Sequence, residues 1–152
     1  MTTTAGRAYQ SMLRTKITPA LTAMGLVSAN GGVFTLPDED AYIQIGFQKS
    51  RNSDAVDMTF TVNVSAISKR DWAYYAKVAR YPVAPETPHV HADYPVGLTE
   101  RIGHFMDTPR DYWWKIKAGD DTTAVAQDVI DLIRNRALPA MTAAVSRTPA
   151  AG

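Results

Sequence analysis

The chain has 152 residues, 45% hydrophobic and 20% charged, which is the composition of an ordinary globular domain and excludes a disordered or fibrous protein. Sixteen Lys and Arg residues nearly balance fifteen Asp and Glu residues, and the net charge of +1 excludes a strong long-range attraction to nucleic acid or anionic membranes. The lack of cysteine excludes disulfides, thiol nucleophiles and cysteine metal sites.

The N-terminal sequence and the hydropathy of the chain predict a cytoplasmic protein. Residues 1–14 lack the apolar core of a signal peptide. No stretch approaches the roughly 18 apolar residues that a membrane span requires. The absence of cysteine is consistent with a reducing compartment. We therefore expect a cytoplasmic location without membrane association.

The first segment has the pattern of an amphipathic helix. From Tyr9 to Met24, apolar residues recur at spacings of three and four, which is typical of one buried stripe. Thr3 or Thr4 is expected to cap the start of this helix. Pro19 should kink the helix or open a second short one, and Gly25 should end it.

Three strands are predicted next. A short one is expected at Val33–Leu36, and polar and apolar residues then alternate over Ala41–Lys49 and Val56–Ala66. Alternation with period two is a strong strand signal. One side of each alternating strand is apolar and the other polar, as in antiparallel sheets that pack on helices with one face.

The second half of the chain is predicted to add a helix, a loop and two strands. Ser68 should cap a short helix. Four prolines between Tyr81 and Pro95 predict a long ordered loop, because proline fits neither a regular helix nor a central strand. Strands are expected at about Val96–Phe105 and Tyr112–Lys117.

A last helix completes the predicted domain. Asp120 or Asp121 should cap it, and Pro139 should break or kink it. The sequence contains no evident internal repeat. We expect one α+β domain over residues 1–146 and a disordered tail at 147–152. Its predicted architecture is an antiparallel sheet of about five strands with the N- and C-terminal helices packed on one face.

An ordered series of short segments resembles a known family. The series comprises residues 19–21 (PAL), 25–26 (GL), 47–51 (FQKSR), 60–64 (FTVNV), 101–103 (RIG) and 113–114 (WW). In order and spacing, from about Leu13 to Leu138, it is similar to the bacterial family known as domain of unknown function 4304. The chain departs from the family pattern at Leu26, where an aromatic residue is more usual. The resemblance implies the helix, hairpin, sheet and helix order predicted above, and it implies no established activity.

The polar side of the sheet is the first candidate site. The residues predicted to bind a ligand there are Gln48, Lys49, Arg51, Thr61, Asn63, Arg101 and Trp113. Amides, hydroxyls, a guanidinium and an indole on one surface can hold a carboxylate, a phosphate or a peptide. Gly46 and Gly103 would let a ligand or another backbone approach closely. The alternative is a simple solvated sheet face.

A histidine-containing segment is the second candidate. His89, His91 and Asp93 occupy alternate positions of an extended stretch, and His104 lies elsewhere. Their spacing matches no known metal motif, so we predict no metal site and no cofactor. The same segment supports an enzyme hypothesis, in which His91 and Asp93 act as acid–base groups of a small hydrolase or transferase and Arg101 binds an anion.

The sequence favours a non-catalytic binding or interaction module over an enzyme, because it contains no recognisable catalytic motif. The expected partner is a protein or a small anionic ligand. Aromatic groups at residues 72–75 and 112–114 are possible anchors for a protein partner. Binding to nucleic acid is not expected, and oligomeric state is not predicted. The enzyme hypothesis requires a histidine or Asp93 to share a pocket with Arg101 and Asn63.

Overall fold

A six-stranded antiparallel sheet and two long, interrupted helices form the fold in the computed structural model, which describes residues 3–78 and 85–146. The helices are α1 (Ala5–Met12), α2 (Thr18–Ala23), α3 (Lys69–Val78), α4 (Thr123–Leu132) and α5 (Leu138–Ser146). The strands are β1 (Val27–Ser28), β2 (Val33–Leu36), β3 (Ala41–Lys49), β4 (Asp57–Ser68), β5 (Leu98–Arg101) and β6 (Trp114–Lys117). The predicted α+β class and the antiparallel sheet are confirmed.

Strand β4 organises the sheet. On one edge it pairs with β3 over almost its whole length. On the other edge, β5 pairs with residues 63–66 and β6 with residues 57–60. Because two short strands share this edge, the chain has to leave the sheet after β5 and return to it at β6. The segment that does so forms part of the candidate site.

The apolar side of the sheet packs against the N- and C-terminal helices, as predicted. Phe60 is fully buried at the centre of this core. Its ring centroid lies 5.1 Å from that of Tyr9 on α1 and 5.5 Å from that of Trp114 on β6. The other sheet residues of the core include Ile43, Ile45, Phe47, Met58, Val62 and Val64. Both long helices contribute, with Met12, Ile17, Leu21, Val129, Ile133 and Met141.

Each long helix contains a wide π-helical turn just before its proline. The turns are Leu13–Ile17, before Pro19, and Ile133–Ala137, before Pro139. In both, the residue preceding the proline donates its N–H to the carbonyl five positions earlier. The wide turn accommodates a residue that lacks an N–H and would clash with the carbonyl one turn back. A second short helix at Pro19 is one of the two outcomes predicted.

The predicted helix signals are confirmed at three places. Thr4 caps α1 by accepting a backbone N–H of the first turn at 3.2 Å. Gly25 follows α2 with a φ of +96°, a conformation that favours glycine after a helix. Ser68 accepts a backbone N–H at the start of α3. The last helix differs from the prediction, because its N-cap is Thr122 rather than Asp120 or Asp121, although the Asp121 carboxylate accepts the N–H of Thr123 at 2.9 Å.

Three strands have bounds that differ from the prediction, and one of them is β6, which begins at Trp114 rather than Tyr112. Strand β5 covers only Leu98–Arg101, and residues 102–105 form a 3₁₀ turn, because the rest of the β4 edge is occupied by β6. Strand β4 begins at Asp57 rather than Val56. The Asp54 carboxylate accepts the N–H groups of both residues at 2.8 Å, which holds a turn at this point.

Some predictions fall outside the described residues. These are the disordered tail at 147–152 and the part of the proline-rich loop at residues 79–84. Within the described helices, none is both long and apolar enough to cross a membrane.

Candidate functional site

A loop of residues 85–97, which we call the cover loop, lies over the polar side of the sheet. The Trp72 indole of α3 donates to a backbone carbonyl of this loop at 3.2 Å, and its ring lies 4.8 Å from that of Tyr94. Gly46 of β3 lies directly beneath the loop. A Cβ at Gly46 would come within 2.5 Å of Val90 Cγ1, so the absence of a side chain there lets the loop pack on the strand.

The polar side of the sheet is largely buried. Thr61 and Ser65 have no exposed surface, and Asn63 is 7% exposed. The alternative of a simple solvated sheet face is therefore wrong for this part of the sheet. Alternation in the sequence predicts which side of a strand a residue occupies, but it does not show that a distant loop covers that side.

The segment that joins β5 to β6, residues 102–113, forms a second cover that we call the connector. The Arg110 N–H donates to the Gly103 carbonyl at 3.1 Å. The two backbones approach so closely that a Cβ at Gly103 would lie 1.9 Å from the Arg110 oxygen. Farther along, the Thr61 hydroxyl donates to the Tyr112 carbonyl at 2.8 Å, in the gap between β5 and β6. These contacts fix the connector to the sheet.

A pocket of about 610 Å³ lies between the cover loop, the connector and β5. Its lining residues are Asn63, Val90, His91, Ala92, Asp93, Glu100, Arg101, His104, Pro109, Arg110 and Asp111. Three carboxylates and two guanidinium groups line the pocket, together with two imidazoles and one amide. The pocket is thus suited to a polar or charged small molecule.

Asn63 links the sheet to the cover loop. Its Nδ2 donates to Gln48 Oε1 at 2.7 Å and lies 2.7 Å from His91 Nδ1. An amide NH₂ only donates, so in this arrangement His91 Nδ1 accepts and the ring proton is on Nε2. His91 remains exposed to solvent, and the partial burial of its ring lowers its pKa below the ordinary value of 6.5, which also favours the neutral ring.

Arg101 lies beside Asn63, since the two residues are paired in the β4–β5 register. Its Nη1 is 2.8 Å from the Asp111 Oδ2, and its guanidinium lies 5.1 Å from the centre of the Trp113 ring. The side chain is still 42% exposed. An ion pair and an aromatic ring therefore orient this cation while it remains accessible from the pocket.

Other charged groups of the pocket have partners of their own. His104 Nδ1 lies 3.8 Å from a Glu100 carboxylate oxygen. The Arg110 guanidinium lies 5.1 Å from the centre of the Tyr112 ring. Within residues 3–78 and 85–146, no group of three or more His, Asp or Glu side chains is arranged to hold a metal ion.

Comparison with known families gives a match over most of the chain. The family described as "Domain of unknown function (DUF4304)" matches residues 17–143. The chain belongs to the DUF4304 family. The matched range contains every residue that lines the pocket. No curated protein and no solved structure matches the chain significantly.

In this DUF4304 member, four of the seven predicted ligand-binding residues lie in or directly behind the pocket. Asn63 and Arg101 line it. Gln48 supports Asn63, and Trp113 lies against Arg101. Strand parity predicted only that Asn63 and Arg101 lie on the same side of the sheet, and the register of β4 and β5 places the two residues opposite each other.

The other three predicted residues lie elsewhere in the DUF4304 fold. Thr61 is buried beneath the connector, where its hydroxyl bonds to a backbone carbonyl. Lys49 and Arg51 are exposed at the end of β3 and beyond it, and neither lines the pocket.

The residues of the enzyme hypothesis do meet in one place. His91, Asp93 and His104 all line the pocket that contains Arg101 and Asn63, so the geometric requirement of that hypothesis is met. His89 is exposed and does not line the pocket.

Arg110 and Asp111 line the pocket but were not among the residues predicted from the sequence. The signal that points to them is Gly103, a glycine within a predicted strand. A second backbone approaches Gly103, and that backbone belongs to Arg110 itself.

The lowered pKa of His91 predicts a pH dependence of stability. The folded state binds a proton at His91 less readily than the unfolded state does, so the stabilisation is complete above pH 6.5 and decreases as the pH falls below that value. The free energy of unfolding in urea should therefore decrease less between pH 7.5 and pH 5 for His91→Gln than for the wild type. His89→Gln, which alters an exposed histidine outside the pocket, is the control and should follow the wild type. A histidine-ring NMR titration giving a His91 pKa at or above 6.5 would contradict this expectation.

Proposed function

We propose that this DUF4304 domain is a binding module whose pocket holds a small ligand with an anionic group. The observation that supports the proposal most directly is the convergence of Asn63, His91 and Arg101 on one pocket. They come from a central strand, the cover loop and an edge strand, so only the folded chain brings them together. All three are held by hydrogen bonds or ring contacts before any ligand arrives, which reduces the entropy lost on binding.

The choice of an anionic group rests on Arg101. Its guanidinium is oriented by Trp113 and Asp111 and is accessible from the pocket. A guanidinium in a fixed orientation recognises carboxylate and phosphate oxygens by charge-assisted hydrogen bonds. Arg110 places a second guanidinium on the same pocket.

A bacterial origin and a cytoplasmic location are part of the same proposal. The cytoplasmic location is supported by a sequence of 152 residues without cysteine. The bacterial origin is supported only by the resemblance described from the sequence.

Truncation of Arg101 should weaken binding of an anion in the pocket. We expect Arg101→Ala to reduce the binding free energy of succinate or inorganic phosphate by about 1.5–3 kcal/mol, the scale of a hydrogen bond to a charged group. Amide NMR titrations at constant ionic strength measure the affinity and show which residues respond. In the wild type, the amide resonances of residues 63, 91 and 101 should shift when either anion is added.

Arg14→Ala is the matched control, because it removes the same charge from the helix on the opposite side of the sheet, where Arg14 is exposed. Its affinity for both anions should equal that of the wild type. The proposed function would be contradicted if the two substitutions weakened anion binding equally. It would also be contradicted if the wild-type resonances shifted with neither anion.

A hydrolase or transferase is the second candidate. One specific observation favours it, which is that Asn63 holds the His91 ring through Nδ1 and leaves the Nε2–H group to donate a hydrogen bond to a substrate. Asp93 lines the same pocket. Turnover of p-nitrophenyl acetate or p-nitrophenyl phosphate that is lost in His91→Gln, while succinate affinity is retained, would favour catalysis over simple binding.

A further inference from the structure

The Asp111 carboxylate occupies the position on Arg101 at which a ligand anion is proposed to bind. Asp111 Oδ2 lies 2.8 Å from Arg101 Nη1, and both residues line the pocket. The two side chains are 55% and 42% exposed, so this ion pair forms at the pocket surface rather than within the core.

We infer that Asp111 marks a carboxylate subsite, and that the carboxylate of a ligand replaces the Asp111 side chain on Arg101. This inference rests on the proposed function and makes it more specific, since it names the group recognised and the residue that competes with it. The contact between Arg101 and Asp111 shows the chemistry of the subsite, because a guanidinium nitrogen lies at hydrogen-bond distance from a carboxylate oxygen.

Displacement of Asp111 requires little rearrangement. An exposed ion pair contributes little to stability, so exchanging one carboxylate for another has a small cost. The connector backbone on either side of Asp111 is fixed, by the Arg110 N–H bond to Gly103 and by the Thr61 bond to the Tyr112 carbonyl. Only the Asp111 side chain needs to rotate.

Arg101 keeps its orientation when Asp111 leaves. The guanidinium stays over the Trp113 ring, 5.1 Å from its centre. Neighbouring Asn63 is held by Gln48. The subsite therefore remains formed during the exchange, and Asp111 acts as an internal competitor that lowers the apparent affinity for the ligand.

The test compares Asp111→Asn with Asp107→Asn, using succinate as the probe at pH 7.5 and constant ionic strength. Both substitutions remove one negative charge from an exposed position of the connector. Asp107, however, pairs with Arg136 of the C-terminal helix and does not line this pocket. We expect Asp111→Asn to bind succinate about two- to five-fold more tightly than the wild type, the range expected for loss of a competing exposed ion pair. Asp107→Asn should bind as the wild type does.

A double variant tests whether the gain depends on Arg101. In the Arg101→Ala background, the Asp111→Asn substitution should give no increase in affinity. A persistent gain in that background, or an equal gain in Asp107→Asn, would mean that the effect is general electrostatics and would overturn the inference.

The failure of this inference is distinguishable from failure of the proposed function. If the wild type binds succinate in an Arg101-dependent way but Asp111→Asn binds no more tightly, only the competing role of Asp111 is refuted. If neither the wild type nor Asp111→Asn responds to succinate or inorganic phosphate, both the carboxylate subsite and the proposed function are refuted.

Discussion

Replacement of Phe60 by alanine is expected to lower the free energy of unfolding by about 3–5 kcal/mol. Phe60 has no exposed surface, and its ring contacts the rings of Tyr9, Phe47 and Trp114. These neighbours come from three different elements, α1, β3 and β6, so they cannot all move to fill the space left by the ring. Urea unfolding followed by circular dichroism measures the loss.

Tyr74→Ala is the control for Phe60→Ala. Tyr74 is also aromatic but is 67% exposed on α3, and its removal should change stability by less than about 0.5 kcal/mol. A loss under about 1 kcal/mol for Phe60→Ala would mean that the core side of β4 is assigned to the wrong set of residues.

Replacement of Gly103 by alanine should have the second-largest effect, and it should act on the pocket as well as on stability. The new Cβ would lie 1.9 Å from the Arg110 carbonyl oxygen and 3.0 Å from the Tyr112 nitrogen. Backbone, unlike the end of a flexible side chain, cannot rotate away, so the connector has to move. We expect a destabilisation of about 1–3 kcal/mol or more.

The connector carries Arg110 and Asp111, so Gly103→Ala should also alter the pocket wall. Faster hydrogen exchange at the Arg110 amide would report the loss of its bond to residue 103. Gly6→Ala is the control, because a Cβ at Gly6 meets nothing within 4 Å and alanine favours the helix by about 1 kcal/mol. If Gly103→Ala had the same stability and the same hydrogen-exchange rate at Arg110 as the wild type, the two backbones would not pack as described.

The sheet was predictable because its signals are local. The alternation over residues 41–49 predicted β3 with its observed bounds, and parity alone placed Phe47 in the core and Asn63 on the other side. The ends of β5 were not predictable in this way. They depend on the sharing of one β4 edge with β6, which is a contact between distant parts of the chain.

The candidate site was only half predictable for the same reason. Strand parity placed Asn63 and Arg101 on one side of the sheet. It could not bring His91 to Asn63, because that contact depends on how the cover loop packs over Gly46. Gly46 and Gly103 were the available clues, since a glycine within a strand indicates close approach. In both cases the approaching group belongs to the same chain, with Val90 at Gly46 and Arg110 at Gly103.

A similarity between the two long helices was missed. Residues 13–23 read LRTKITPALTA, and residues 133–143 read IRNRALPAMTA. Both stretches place a π-helical turn before the proline and a buried residue two positions after it, Leu21 and Met141. At eleven residues the pattern is too short to indicate a repeated domain, but it predicts a repeated local geometry.

The division of the β4 edge between β5 and β6 bears on how the protein resists aggregation. A long, flat edge strand offers a row of free N–H and C=O groups with which another chain can pair. The strands that end this sheet are short, with two residues in β1 and four each in β5 and β6. Between β5 and β6 the connector closes the gap with the Thr61 bond to Tyr112. The arrangement that builds the pocket therefore also leaves little backbone for β-sheet extension by a neighbouring molecule.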